Sequence, residues 1–169
     1  MADGFELHLV RTFGADYDSA AGVLRAGPER WLPGFAVDGD RVTAELAFDQ
    51  AGRRIGRRIE VALGTVQPFA YGVTIRVQWQ AVRRPHLYPT LDGHLRLEPG
   101  QDAGCRLRFD VRYVPPAGKL GASVDRALLY RVAEATVGDF LDRVAAVLDA
   151  KGASPQPAPA PERPGARDG

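Results

Sequence analysis

The sequence contains very little cysteine and lysine, and both scarcities exclude some chemistry. Cys105 is the only cysteine among 169 residues, which excludes an intrachain disulfide and a thiolate metal cluster. Packing alone must then hold the fold together, which suits a reducing compartment, and we expect a cytoplasmic protein. Lys119 and Lys151 are the only lysines, so arginine carries nearly all the positive charge. Because arginine stays protonated, it offers no amine nucleophile.

The sequence also lacks a strong net charge and a long apolar run. The formal net charge is +1, whereas nucleic-acid-binding domains are usually strongly basic, so we expect no nucleic-acid partner. No segment approaches the roughly 20 apolar residues that cross a bilayer, and the N-terminus shows no signal-peptide pattern. We therefore expect no membrane span. We interpret the abundance of arginine, alanine, glycine and proline as a GC-rich bacterial coding signature.

Histidine is scarce as well, and its spacing offers no local metal site. His8, His86 and His94 are the only histidines, and none forms a His-x-His or His-x-x-x-His pair. Asp92 and His94 are two residues apart on a predicted strand, so a carboxylate there could orient a general base. A turn aspartate beside Gly93 is the simpler interpretation. We find no phosphate-binding glycine loop and no nucleophile elbow, and we expect no metal and no cofactor.

What the sequence does contain is a strong two-residue alternation. Apolar residues make up 45% of the chain, enough for one domain with a real core. From Arg41 to Tyr113, successive segments place apolar residues on one face and polar residues on the other. This pattern predicts antiparallel strands joined by short turns, with one dry and one wet face. The clearest dry faces are Val73, Ile75, Val77, Trp79 and Ala81 in one segment, and Cys105, Leu107, Phe109, Val111 and Tyr113 in another.

Two helical regions accompany the strands. Residues 5–13 predict a first strand, and residues 16–26 predict a short helix after it. Residues 119–149 predict one long helix, about 45 Å at 1.5 Å per residue, which Gly152 closes. Its predicted apolar stripe consists of Leu129, Val132, Ala133, Thr136, Val137, Phe140, Val144, Val147 and Leu148.

The order of elements predicts the architecture. A sheet with one apolar face must cover that face, and the last helix is the only long amphipathic element. We therefore predict an α+β helix-grip fold, in which a curved antiparallel sheet wraps around the C-terminal helix. Such an arrangement leaves an internal apolar pocket, which is the default ligand site. We interpret Gly64, Gly72 and Gly93 as bulges that curve the sheet.

The domain division follows from composition. We predict one domain over residues 1–150. Residues 151–169 form a Pro/Ala-rich tail without an apolar period, and we predict that this tail is disordered and biased toward polyproline II.

Three segments carry a resemblance to a known family. Residues 113–121 (YVPPAGKLG), 125–136 (DRALLYRVAEAT) and 139–144 (DFLDRV) resemble the C-terminal half of START-like (SRPBCC) proteins. This superfamily includes polyketide cyclases/dehydrases and lipid-transport proteins. The turn at residues 30–34 (RWLPG) fits the same pattern, and the resemblance covers about residues 5–149. It implies a helix-grip fold and a lipid or polyketide-like ligand. The first helix departs from the pattern, since it lacks the Ala-Pro-x-x-x-Val-Trp motif of many members.

We predict a pocket with almost wholly apolar walls. Arg57 shares a strand face with Ile55 and Ile59 and either orients a carboxylate or enolate in the pocket or ends in water. The hydroxyl of Tyr113 needs a partner if it is buried. The predicted pocket residues are Trp79, Phe109, Val111, Tyr113, Arg57, Val77, Val132, Thr136 and Phe140.

Three functions remain open from the sequence. The leading hypothesis is binding of a hydrophobic small molecule, lipid or polyketide-like, in this pocket. The second is a polyketide cyclase or aromatase that uses Arg57, Tyr113, Asp92 and His94 in the same pocket. The third is a protein-interaction module that uses the proline-rich tail. The sequence leaves both a monomer and a homodimer open.

Overall fold

The described part of the chain, in a computed structural model, comprises residues 4–39, 41–50, 53–81, 90–114 and 126–153, without the side chains of 47–50, 53–57 and 81. The elements in chain order are β1 (Phe5–Phe13), α1 (Tyr17–Ala26), α2 (Pro28–Trp31), β2 (Ala36–Asp38), β3 (Arg41–Gln50), β4 (Arg53–Leu63), β5 (Gln67–Phe69), β6 (Gly72–Ala81), β7 (Thr90–Pro99), β8 (Cys105–Val114) and α3 (Arg126–Gly152).

The strands form one antiparallel sheet that curves around α3. Their order is β1-β8-β7-β6-β4-β3-β2, and β5 pairs with β6 beside this path. The short helices α1 and α2 follow the first strand. The predicted α+β helix-grip architecture is therefore confirmed. None of the helices in the described residues combines the length and the apolar character needed for a membrane crossing.

The two faces of the central strands are as the alternation predicts. Val77 of β6 and Phe109 of β8 are fully buried on the inner face, whereas Arg76 and Arg108 on the outer face are exposed. The register aligns inner residues across three strands, so that Trp79 pairs with Leu91, which pairs with the buried Tyr113. Each strand therefore contributes side chains to one continuous apolar layer under α3.

Helix α3 differs from its predicted form in phase. It ends at Gly152, the residue predicted to close it, and residues 119–125 lie outside the described part of the chain. Val132 is 42% exposed, so its predicted place in the buried stripe is wrong. The observed stripe has the helical spacing of Ala133, Thr136, Val137, Phe140, Leu141, Val144, Ala145 and Leu148. Val132 precedes this stripe by one residue, about 100° around the helix.

Polar contacts fix the second half of α3 to the rest of the fold. Arg11 of β1 pairs with Asp142, and the Asp149 carboxylate accepts from the Ala15 amide at 3.0 Å. Arg143 donates to the backbone carbonyl of Glu45 on β3. These contacts reach α3 from β1, from β3 and from the segment before α1, and so they set its position across the inner face.

Helix α1 begins with a side-chain cap. The Asp16 carboxylate accepts from the Ser19 amide at 3.0 Å, as expected for an aspartate before the first turn. The helix ends where Gly27 adopts a φ of 125° and Pro28 begins α2. This sharp exit turns α2 toward the end of α3, where Lys151 donates to the carbonyl of Arg30.

The predicted bulge at Gly93 is wrong. Strand pairs run unbroken through Gly93, which opposes Val77 on β6 and Val111 on β8. A Cβ at Gly93 would lie 2.4 Å from the carbonyl oxygen of Asp110, so the absence of a side chain lets the strands approach closely. Gly64 likewise continues the ladder, since its amide donates to the Arg76 carbonyl at 2.9 Å. Curvature here arises without a register shift.

Candidate functional site

Three aromatic rings occupy the middle of the space between sheet and helix. Trp79, Phe109 and Phe140 contact one another, with ring centroids 5.2 to 6.4 Å apart and interplanar angles from 40° to 72°. Tilted and edge-on contacts of this kind favour aromatic pairs beyond the area they bury. All three rings are buried. The centre of the predicted pocket is thus a packed aromatic cluster.

One end of the inner layer is closed by the short helices. Trp31 of α2 is 1% exposed, and its indole Nε1 has no hydrogen-bond partner among the described residues. The backbone of α3 comes close to α1, where a Cβ at Gly152 would lie 3.1 Å from the Ala15 Cβ. The buried apolar side chains at this end include Leu24, Leu32 and Leu148.

The opposite end is built from the end of β8, the starts of β1 and β7 and the first turns of α3. Tyr113 lies here, 4% exposed, and pairs with Phe5 on one side and Leu91 on the other. The Phe5 ring meets the Tyr130 ring edge-on at 5.7 Å, and the guanidinium of Arg126 lies 5.2 Å from its centroid. This end therefore combines aromatic walls with one buried phenol.

The phenol of Tyr113 has an unusual environment. Burial raises its pKa well above the ordinary value of 10.0, so the hydroxyl keeps its proton at neutral pH. Buried tyrosine hydroxyls usually have a partner. Tyr113 therefore places a protonated donor in a largely apolar setting.

The remaining predicted pocket residues are distributed unevenly. Val77 and Val111 are buried on the inner face on either side of Gly93. Thr136 is buried on α3, but its hydroxyl donates to the Val132 carbonyl at 2.8 Å and is therefore already used. The backbone of Arg57 pairs with that of Leu46, and the Arg57 side chain lies outside the described residues.

The predicted Asp92 and His94 pair does not join this site. Both residues lie on the outer face, whereas Tyr113 lies on the inner one. Asp92 pairs instead with Arg76 through two contacts of 3.0 and 2.7 Å, and these hydrogen bonds lower the pKa of the carboxyl. Asp92 also borders an open hollow of about 330 Å³ on this outer face. His94 is exposed.

The outer face holds a histidine contact that the sequence did not predict, between His8 and Asp110. His8 Nδ1 lies 2.8 Å from one oxygen of Asp110, and Arg96 donates to the other oxygen at 2.8 Å. The only signal for it is the register, which places His8 directly opposite Asp110 across β1 and β8. His86 lies outside the described residues. Among the described residues, no group of three or more acidic, histidine or cysteine side chains is arranged to hold a metal.

An antiparallel sheet curved around a long C-terminal helix is the START-like (SRPBCC) helix-grip fold, and this chain has that fold. No protein-family model matches the sequence, and no curated protein matches it. Solved structures do match the architecture. A conserved protein from Geobacillus kaustophilus is 15% identical, with a TM-score of 0.56 over 85% of this chain and 95% of that one.

Two enzymes share the architecture at similar levels. The Zhui aromatase/cyclase from a Streptomyces species is 14% identical, with a TM-score of 0.52 over 89% of this chain and 94% of that one. Norcoclaurine synthase from Thalictrum flavum is 9% identical, with a TM-score of 0.51 over 86% and 87% of the two chains. At these identities the likeness concerns the fold and not the activity.

Proposed function

We propose that this chain binds a hydrophobic small molecule, lipid or polyketide-like, between the inner face of the sheet and the first turns of α3. The observation that carries this proposal is the phenol of Tyr113, which is 4% exposed and keeps its proton among apolar walls. A hydrogen bond from it to an acceptor on a bound ligand would contribute about 0.5–1.5 kcal/mol. The walls around it are apolar and would bind the rest of the ligand by burying its surface.

The chemistry of the site favours one type of ligand. Because the Tyr113 phenol stays protonated at neutral pH, it acts as a donor and suits a carbonyl, hydroxyl or carboxylate oxygen. Trp79 and Phe5 flank the same end of the sheet and suit a flat or extended apolar body. Val132 is exposed and does not belong to the proposed wall. The single cysteine, Cys105, is consistent with the cytoplasmic location that we propose.

Native mass spectrometry of the protein purified from its own host tests this function. We expect a bound mass of a few hundred daltons at one per chain. The Tyr113→Phe variant keeps the ring and loses the donor, so the bound fraction should fall, by about fivefold in affinity for one neutral hydrogen bond. The matched control is Tyr130→Phe, since Tyr130 is 40% exposed.

A second probe covers a ligand that is lost during purification. We expect 1-anilinonaphthalene-8-sulfonate to bind saturably at one site per chain, with weaker binding in Tyr113→Phe. A protein that carries no bound mass and binds this dye nowhere saturably does not have the proposed pocket.

A cyclase or aromatase using the same pocket is the second candidate. The observation in its favour is again the protonated phenol of Tyr113, which can polarise a carbonyl and stabilise a developing enolate. Asp92 and His94 lie on the outer face and take no part, so Arg57 is the remaining proposed partner. Such an enzyme would convert a linear poly-β-ketone thioester to a cyclic product. Tyr113→Phe and Arg57→Gln should then slow turnover more than they weaken binding, and binding without any product would favour the first candidate.

A further inference from the structure

A surface groove outside the proposed pocket points to a different kind of binding. The groove is open, has a volume of about 730 Å³, and lies between the start of α1, the β5–β6 hairpin, the end of β7 and the start of β8. Its side chains are three aromatic rings, one proline and two opposite charges, namely Tyr17, Phe69, Tyr71, Pro99, Glu98 and Arg106.

The aromatic rings of this groove are available at the surface. Tyr71 is 76% exposed at the tip of the hairpin, and Phe69 and Tyr17 are partly exposed. A large apolar side chain so exposed contributes little to the core. Aromatic-lined grooves with nearby charges are the surfaces on which proline-rich segments dock in the polyproline II conformation, because that conformation is already extended and loses little entropy on binding.

We propose that the proline-rich tail of this chain docks in this groove, with residues 155–164 as the bound segment. This segment reads PQPAPAPERP and contains five prolines, of which Pro161 and Pro164 form a P-x-x-P spacing. Between them lie Glu162 and Arg163. This segment therefore carries one charge of each sign, as the groove does. This docking is independent of the ligand pocket between sheet and helix.

The end of α3 delivers the tail to the edge of the groove. A Cβ at Gly152 would lie 3.1 Å from the Ala15 Cβ, and the Ala15 carbonyl accepts from the Cys105 Sγ at 3.1 Å. Tyr17 is two residues beyond Ala15, and Arg106 directly follows Cys105. Both line the groove. The described chain thus ends close to the backbone that precedes Tyr17, and Ala15 in turn contacts the residue before Arg106.

The chain beyond Gly152 is long enough to reach the groove. Ala15 and Tyr17 are at most about 7.6 Å apart along the chain, by the Cα spacing. Pro161 lies nine residues beyond Gly152, and nine residues span about 28 Å in polyproline II. A short tether gives an effective concentration of about 1 mM, so a dissociation constant of about 0.1 mM would leave roughly nine-tenths of the tails docked.

Paramagnetic relaxation in the full-length chain tests this docking. A nitroxide is attached at Ala166→Cys, near the end of the tail. The natural Cys105 is buried, and burial raises the pKa of its thiol to about 11, so it stays unlabelled in the folded protein. We expect the amide signals of Phe69 and Gly72 to be attenuated at least twofold more than in the same labelled chain carrying Tyr71→Ser.

Two controls separate docking from mere tethering. Val37→Ser removes an exposed apolar side chain on β2, outside the groove, and should leave the attenuation unchanged. Replacing Pro159 and Pro161 by serine should reduce it as Tyr71→Ser does. Equal attenuation in the parent and Tyr71→Ser chains overturns the proposal. So does attenuation that appears when a spin-labelled, unenriched chain is mixed with an unlabelled, isotope-enriched one, since the tail would then reach a second copy.

Discussion

Removing the ring of Phe140 should cost this fold a large part of its stability. The side chain is fully buried on α3, and its ring contacts Trp79 at 5.2 Å and Phe109 at 5.7 Å between centroids. Truncating a buried phenylalanine to alanine typically costs about 3–5 kcal/mol, and the loss of two aromatic contacts puts Phe140→Ala in the upper part of that range. Domains typically have a free energy of unfolding of about 5–15 kcal/mol. For a domain near the middle of that range, the Phe140→Ala loss would remove a third or more of the free energy of unfolding.

Urea unfolding followed by far-ultraviolet circular dichroism measures this loss. We expect the midpoint to fall with little change in slope, since the surface exposed on unfolding stays similar. Leu128→Ala on the same helix is the matched control, because Leu128 is 54% exposed and should cost at most about 0.5 kcal/mol. A loss below about 1 kcal/mol for Phe140→Ala would refute the view that the aromatic cluster is the centre of the core.

Two further predictions concern the core and its glycines. Burial raises the pKa of the Cys105 thiol from 9.0 to about 11, so above pH 9 the unfolded chain loses this proton while the folded chain keeps it. Stability should therefore fall between about pH 9 and 11, by on the order of 2–3 kcal/mol, and Cys105→Ala should unfold in urea with a flatter pH dependence. Gly93→Ala should lower the melting temperature, because the added Cβ would lie 2.4 Å from the Asp110 carbonyl oxygen. The expected loss in the free energy of unfolding is about 1–3 kcal/mol, the usual cost of overpacking. Gly22→Ala, in the open on α1, should raise it slightly, and equal effects at the two glycines would contradict the close strand approach.

The faces of the strands could be predicted because alternation fixes them without reference to partners. Trp79 and Phe109 are buried as predicted, because each belongs to an apolar series with a period of two that faces the inside of the sheet. The buried face of the helix was harder to predict, because a period of 3.6 residues does not decide whether residues at the border of the apolar stripe are buried. Val132 lies at such an edge, and only the packing of Ala133 against the sheet decides which of the two is buried.

Contacts across strands could not be predicted from the sequence. The partner of Asp92 is Arg76, sixteen residues away, and the partner of His8 is Asp110, 102 residues away. Both pairs depend on register, which a single sequence leaves undetermined. The burial of Tyr113 is of the same kind, since its position at a strand end is visible in the sequence and its burial is not.

The fluorescence of the two tryptophans of this chain can report on two different parts of the fold. Trp31 lies on α2, and Trp79 lies in the aromatic cluster beside the proposed pocket. Because Trp31 is 1% exposed, its emission should be blue-shifted and insensitive to ligand. Trp79 should instead report on whatever enters near Tyr113. Single-tryptophan chains made by Trp31→Phe and Trp79→Phe would thus read the two ends of the fold separately, without any added label.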